Sequence, residues 1–198
     1  MKKLMMTSAL LFVVFASINV DAKNVETKPV QTVEFVDLHK YMGDWHEIAS
    51  IPQFFQRKCV ANTVARYEIL PDQSVQVLNS CDTKDGERIS SEGRAKVSDP
   101  QTNAKLDVTF ARIFGRYVYT IGGKYWIISL DKDYRYAIVG HPKRKYGWIL
   151  ARSGTISTTV LSDLVKELRA QEYDPCEFNI TPQDGGFKTA TRLCDAVK

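Results

Sequence analysis

The side chains best suited to chemistry in this sequence are four cysteines, three histidines and one glutamate two residues after a tryptophan. Cys59, Cys81, Cys176 and Cys194 are widely spaced, with no C-x-x-C among them. That spacing argues against a zinc site, and neither a metal nor a cofactor is expected. An even count in an exported chain favours two disulfides, for which three pairings exist. A free nucleophilic thiol would leave an odd partner. His39, His46 and His141 are scattered along the chain and assemble no recognisable base–nucleophile set. Glu47 is the remaining candidate for acid–base work. The sequence holds no glycine-rich phosphate loop and no nucleophile elbow.

The whole chain narrows the options further. It has 198 residues, of which 44% are hydrophobic and 25% charged, an ordinary globular composition for one domain with its own core. The formal charge of +4 is too small to be a nucleic-acid footprint. Lys2 and Lys3 precede an apolar run, and Val20-Asp21-Ala22 follows it. Residues 1–22 therefore read as a secretory signal peptide cleaved after Ala22, the alternative being an uncleaved N-terminal anchor. No cysteine follows the run, so a lipoprotein anchor is not expected. The expected location is the periplasm, with full secretion possible. Residues 23–34 are polar and read as a flexible segment.

From residue 43 onward short strand signals alternate with turns. Strands are expected near 43–49, 60–70, 75–81, 88–97, 105–110, 125–130, 134–139 and 146–152. Turn residues separate them, such as Pro71-Asp72-Gln73 and Asp131-Lys132-Asp133. Eight strands with short connections and no helix between them indicate an antiparallel sandwich or barrel. Helical periodicity comes only afterwards, in Val160, Leu161, Leu164, Val165 and Leu168, with Ser157 or Thr158 as its cap. One amphipathic helix after eight strands most simply packs outside the sheet.

Three stretches then carry a family resemblance. The first is Gly43-Asp44-Trp45-His46-Glu47-Ile48-Ala49, a G-x-W-[YH]-E-I-A pattern. The second is Leu130-Asp131-Lys132-Asp133-Tyr134. The third is Trp148-Ile149-Leu150-Ala151-Arg152. In this order, with a helix after the last, they resemble the lipocalins, in particular the bacterial and apolipoprotein D-like branch. Asn79 and Asn103-Ala104-Lys105-Leu106 add to the likeness, which covers roughly residues 35–182. Ser153-Gly154 stands where the family often has a proline, and the second motif lacks the usual Thr-Asp start. The resemblance implies an all-β fold, an eight-stranded antiparallel up-and-down barrel with one C-terminal α-helix packed outside, followed by a tail over 183–198.

In such a barrel the three motifs meet at the closed end. Gly43, Trp45, Asp131, Tyr134 and Arg152 are expected to be structural there, with Arg152 stacked on Trp45 and bonded to backbone carbonyls. Inward residues alternate along each strand. Counting from Trp45 selects Glu47 and Ala49, and counting from Arg152 selects Leu150, Trp148 and Tyr146. Leu106, Val108 and Phe110 form a third set, and counting from Tyr134 gives Tyr136 and Ile138. Glu47 is then either a functional buried acid or, more simply, a hydrogen-bonded core carboxylate. The open end collects Phe54, Phe55, Arg57 and Lys58 with Arg116, His141, Lys143, Arg144 and Lys145.

An apolar cavity under a cationic rim suits a fatty acid, a lysophospholipid or another lipid. The expected ligand contacts are Glu47, Phe54, Phe55, Tyr67, Phe110, Arg116, Tyr136, Tyr146 and Trp148. Phe54 and Phe55 are also candidates for transient membrane contact. The chain is expected to be a monomer or weak dimer. Two alternatives stand beside a lipid carrier. One is an enzyme on the same barrel acting through a free cysteine or Glu47. The other is an interaction module whose barrel is filled. The hairpin positions favour Cys59–Cys81, and the shared location beyond the helix favours Cys176–Cys194. The resemblance to animal relatives suggests a rival staple, Cys59–Cys194.

Overall fold

Turn chemistry sets the strand ends. After the second strand, Asp72 accepts a bond from the Ser74 amide (3.0 Å) while Gln73 takes a left-handed φ of 63°. Between the sixth and seventh strands, the Asp131 carboxylate accepts from the backbone amides of Asp133 and Arg135 (both 3.2 Å) and pairs with the Arg135 guanidinium. The computed structural model describes residues 27–197, so the expected leader over 1–22 lies outside the described residues.

Eight strands result: β1 (Gly43–Ser50), β2 (Ala61–Ile69), β3 (Val75–Asp82), β4 (Arg88–Val97), β5 (Lys105–Thr109), β6 (Gly123–Leu130), β7 (Tyr136–Gly140) and β8 (Gly147–Ala151). Each pairs antiparallel with the next, and β8 returns to β1, so the sheet closes into a barrel. A short strand β9 (Asn179–Ile180) pairs with Ala49 and Ser50 of β1. The long β5–β6 connection carries its own two-stranded ribbon, Arg112–Ile113 against Arg116–Tyr117.

Two apolar cores share these strands. The inner core fills the lower barrel with Trp45, Val75, Val77, Leu106, Ile127 and Leu150. The outer core lies between the barrel and the C-terminal helix. Here Leu161, Leu164, Val165 and Leu168 of the helix meet Ile48, Ile138 and Ile149 of β1, β7 and β8. The helix, α2 in chain order, spans Thr158–Ala170, and the Ser157 hydroxyl accepts the Val160 amide at its start. A one-turn helix, α1 (Leu38–Tyr41), precedes the barrel, and α3 (Leu193–Ala196) follows β9. Among the described residues no helix is long and apolar enough to cross a membrane.

This double burial corrects three inward assignments, Ala49, Tyr136 and Ile138. A β-bulge between Glu47 and Ala49 shifts the register of β1 against β8, so Glu47 stays inside while Ala49 joins the outer core. Tyr134 has φ 58° in the turn before β7, so it does not set that strand's alternation. Ala137 faces in, paired with Leu150, whereas Tyr136 and Ile138 pack toward the helix. Tyr136 is therefore outside the cavity.

The ends are also more integrated than expected. Residues 27–34 are seated rather than loose. Val30 is buried in the outer core, and the Lys28 and Gln31 amides donate to Glu172 and Gln171. The tail beyond 182 is docked as well. Leu193 is fully buried, and Asn179 bridges to Arg192. Both disulfides are local, Cys59–Cys81 and Cys176–Cys194. The long-range staple is not formed, and none of the four thiols remains free as a nucleophile.

Candidate functional site

The closed end is a plug built from the three motifs. Gly43 has φ 92°, a region open to glycine, and a side chain there would meet Arg152 Nη1 at 3.4 Å. Arg152 lies over the Trp45 ring, 3.9 Å from its centroid. Its guanidinium donates to the carbonyls of Lys40 (2.7 Å), Asp44 (2.9 Å) and Tyr134 (3.1 Å). Trp45 Nε1 in turn donates to the Tyr41 carbonyl at 2.8 Å, and the Tyr134 hydroxyl accepts the Asp37 amide at 2.9 Å. The Arg152 guanidinium and the Trp45 indole N–H are thus spent on backbone carbonyls rather than on a ligand.

Above the plug sits a layer of three tyrosines. The Tyr125 hydroxyl meets those of Tyr41 (2.9 Å) and Tyr67 (3.1 Å). Burial raises all three hydroxyls above the ordinary phenol range, Tyr67 to about 12. They are neutral hydrogen-bonding groups, not bases.

The main cavity opens over this layer, with a volume of about 190 Å³. Tyr67 and Tyr125 floor it, and Ala65, Val77, Val108 and Leu150 form apolar walls. Phe110 closes one side of the mouth and Phe55 the other. An aromatic ladder runs up the β8 wall. The Trp148 and Tyr146 rings lie 5.1 Å apart, and Tyr146 and His141 lie 4.6 Å apart. Tyr146 donates to the Lys124 carbonyl at 2.9 Å. It approaches so closely that a side chain at Gly123 would meet its oxygen at 2.7 Å. A 20 Å³ void under the tyrosines shares Tyr67 and Tyr125 with the main cavity.

The acidic group of the wall is Glu47, on β1. The Glu47 carboxylate accepts from Ser50 Oγ (2.9 Å), Thr181 Oγ1 (2.6 Å) and Gln56 Nε2 (2.8 Å). All three donors are neutral, and Glu47 is absent from the ion pairs of the described residues. The neighbouring rim, on the β7–β8 connection, carries His141, Lys143 and Lys145, and the Gln53 side-chain amide donates to the Lys145 carbonyl at 3.4 Å. Burial, and then Lys145, Lys143 and Lys124, push His141 below its usual range. Lys124 lines the cavity but is tied to Asp107 at 2.7 Å.

Glu47, Phe55, Tyr67, Phe110, Tyr146 and Trp148 thus come together around one cavity. Three of the expected contacts do not join them. Phe54 is 73% exposed and lies edge-on to Phe55, outside the cavity. Arg116 sits on the exposed ribbon. Tyr136 faces the helix, as described above. Arg144, grouped with the rim on sequence, is a tether instead. It donates to the carbonyls of Gln171 and Lys28 (both 2.6 Å) and pairs with Glu172.

Several site residues are not evident from alternation alone: Gln56, Asn79, Lys124, Tyr125 and Thr181. An inward carboxylate such as Glu47 needs donors, and Gln56 and Thr181 supply them from a loop and from the chain beyond the helix. Gln183 stands in the tail by sequence, yet its amide donates to the Glu47 and Thr63 carbonyls (both 2.9 Å), bridging β1 and β2 where their ladder ends. Its oxygen meets His46 Nδ1 at 3.2 Å on the outer face.

Comparison with known proteins agrees with this architecture. The family model of the lipocalin-like domain matches residues 36–183. Temperature-induced lipocalin-1 of Arabidopsis thaliana is 36% identical over 80% of this chain and 85% of that protein. The outer membrane lipoprotein Blc of Escherichia coli K12 is 34% identical over 79% of this chain and 84% of its own length. Among solved structures, insecticyanin from the tobacco hornworm Manduca sexta superposes with a TM-score of 0.61 at 21% identity. That match covers 84% of this chain and 95% of insecticyanin.

Proposed function

Because the chain belongs to the lipocalin family, whose members bind small hydrophobic ligands, we propose that it binds and carries a single-chain lipid, a fatty acid or lysophospholipid, in the cell envelope. The observation that carries this reading is the 190 Å³ cavity with its aliphatic and aromatic walls. An acyl chain entering it replaces water on apolar surface, which is favourable by about 25 cal/mol per Å². The head group then stays at the mouth, where Lys143 and Lys145 suit a carboxylate or phosphate. The two disulfides fit an oxidising compartment, periplasmic or extracellular.

The same end of the barrel supports transient contact with a lipid bilayer during exchange. Phe54, Ile113, Phe114 and Ile121 are each more than half exposed, on the two loops that flank the mouth. Arg57, Lys58 and Arg116 lie on the same two loops. Apolar rings beside cations suit an anionic interface. Nucleic acid has no place in this reading, and it requires no catalysis. The test is native mass spectrometry of protein isolated from its own source, before and after delipidation. A bound mass matching a single-chain lipid, lost on delipidation and regained on adding the lipid back, is the expected result. Protein that is bare from the start and refuses added lipid overturns the reading in favour of a filled interaction module.

A further inference from the structure

The tyrosine layer under the cavity holds one more O–H than it uses. Tyr41, Tyr67 and Tyr125 bring three hydroxyl hydrogens. Their oxygens make two contacts, Tyr41 with Tyr125 at 2.9 Å and Tyr67 with Tyr125 at 3.1 Å, and have no other partner among the described residues. Each contact takes a single hydrogen, so one O–H stays unspent. Because the hydroxyls rotate, the spare hydrogen can rest on any of the three. Tyr67 and Tyr125 line the main cavity, whereas Tyr41 lines the 20 Å³ void beneath it. When Tyr41 donates to Tyr125 and Tyr125 to Tyr67, the free hydrogen is that of Tyr67, at the cavity floor. A relay of this kind strengthens its last donor. A shielded O–H without an acceptor is costly, so the floor is one acceptor short.

Resting on the reading of this cavity as a lipid site, we propose that the Tyr67–Tyr125 floor is a subsite for a neutral hydrogen-bond acceptor at the far end of the ligand's chain, a hydroxyl, ketone or ester oxygen. A chain end that reaches the floor has left water behind, since the walls above it are Ala65, Val77, Val108 and Leu150. A carboxylate finds no counter-charge at that depth. The cationic residue lining the cavity is Lys124, whose ammonium is tied to Asp107 at 2.7 Å, and Glu47 adds a negative charge to the wall. Burying an unpaired charge costs far more than burying a dipole, so the acceptor is uncharged and an anionic head stays at the mouth. A methyl end leaves the spare O–H facing hydrocarbon. The floor therefore favours a single chain oxygenated at both ends. In a cavity apolar throughout, trading the last methyl for a hydroxyl or ester costs about tenfold to a hundredfold in affinity, because that group is buried unbonded. One hydrogen bond from the floor removes this penalty.

Three probe series test this by calorimetry on the delipidated, disulfide-intact protein, each made at several chain lengths so that one member spans the cavity. They are the plain fatty acid, the acid with a hydroxyl on its last carbon, and the diacid with its far end closed as a methyl ester. The expected result is that, at one length or more, an oxygenated probe binds at least as tightly as the plain acid of that length. Infrared difference spectra give an independent readout, since the far-end ester carbonyl of the bound probe should absorb below its frequency in alkane. Tyr67→Phe with Tyr125→Phe keeps both rings and removes both floor hydroxyls. In that variant the oxygenated probes should fall about tenfold or more behind the plain acid, and the carbonyl shift should vanish. Tyr125→Phe alone leaves the Tyr67 O–H without its partner and should keep the preference. If the double variant does not fold, the parent's binding order and carbonyl frequency decide. Oxygenated probes weaker than the plain acid at every length, a carbonyl at its alkane frequency, or a preference that survives the double variant overturns the subsite and leaves the lipid-carrier reading standing. Failure of every probe to bind, the plain acids included, overturns both.

Discussion

The plug at the closed end separates stability from ligand binding, and Arg152 is the place to test it. Arg152→Ala removes three charge-assisted donations to the Lys40, Asp44 and Tyr134 carbonyls and the stack on Trp45. The Lys40 bond is exposed, so water can replace it at little loss. The other two are partly buried, and bonds from a charged donor are worth about 1.5 kcal/mol each at the low end. The cation–π contact adds about 1 kcal/mol in this half-buried setting. The expected loss is therefore about 4 kcal/mol, a large share of the roughly 5–15 kcal/mol that holds a domain folded. With a urea slope of about 2 kcal/mol/M, the unfolding midpoint falls by about 2 M. Arg152→Lys keeps a charge over the ring but cannot reach three carbonyls at once, so it should lose about half as much.

The informative half of the experiment is the ligand affinity of the variant, measured in buffer where it remains folded. The Tyr41–Tyr125–Tyr67 layer lies between the plug and the cavity, and none of Gly43, Trp45, Asp131, Tyr134 and Arg152 lines the cavity. The Kd should stay within about twofold of the parent. A midpoint shift equivalent to less than about 1 kcal/mol would show that the carbonyl bonds are replaced by water and that the plug is not what holds this end. A large change in Kd with the fold intact would refute the separation itself.

Filling the cavity should do the reverse. Ala65→Phe places a ring among Tyr67, Val77 and Val108 and should weaken lipid binding by about tenfold or more, with a small change in stability; displacement of a bound fluorescent lipid reads it directly. The disulfides should differ in kind. Each closes a loop of about twenty residues, worth about 3 kcal/mol by loop entropy. Cys59→Ala with Cys81→Ala frees the loop that carries Phe55 and Gln56, so it should weaken binding as well as stability. Cys176→Ala with Cys194→Ala should lower stability alone, as paired denaturation and binding curves will show. Alkali should unfold the barrel. Tyr67 has its pKa raised from about 10 to about 12, so its stabilising effect is complete below pH 10 and is lost as pH rises through about 12. In the native state Tyr41, Tyr67 and Tyr125 should add nothing to tyrosinate absorbance until the fold gives way. Phe114→Ser with Phe54→Ser should reduce sedimentation with anionic vesicles while leaving the affinity for soluble lipid unchanged, since neither ring lines the cavity.

What the sequence made legible, and what it did not, follows from where one rule governs a residue. The plug could be read because its residues are individually irreplaceable: a glycine at φ 92°, an indole as filler, a guanidinium with enough donors for three carbonyls. The strands β2 to β5 were equally readable because one face is polar. The rule fails on β1, β7 and β8, which the helix covers from outside, so both faces are apolar and alternation loses its contrast. Ile138, Ile149 and Ala151 are as buried as Val139 and Leu150. Choosing between the faces then depends on a starting residue, and Tyr134, held in a turn with positive φ, was a false start that turned Tyr136 inward. The bulge after Glu47 moved Ala49 for a related reason, since an extra residue in one strand reverses every later side chain. The Glu47 network was beyond pattern reading altogether. It joins β1, a loop nine residues on, and a threonine 134 residues away from Glu47, which only the closure of the barrel and the return of β9 bring together. Its one sequence clue was chemical: a glutamate placed inside a barrel with no nearby cation needs donors.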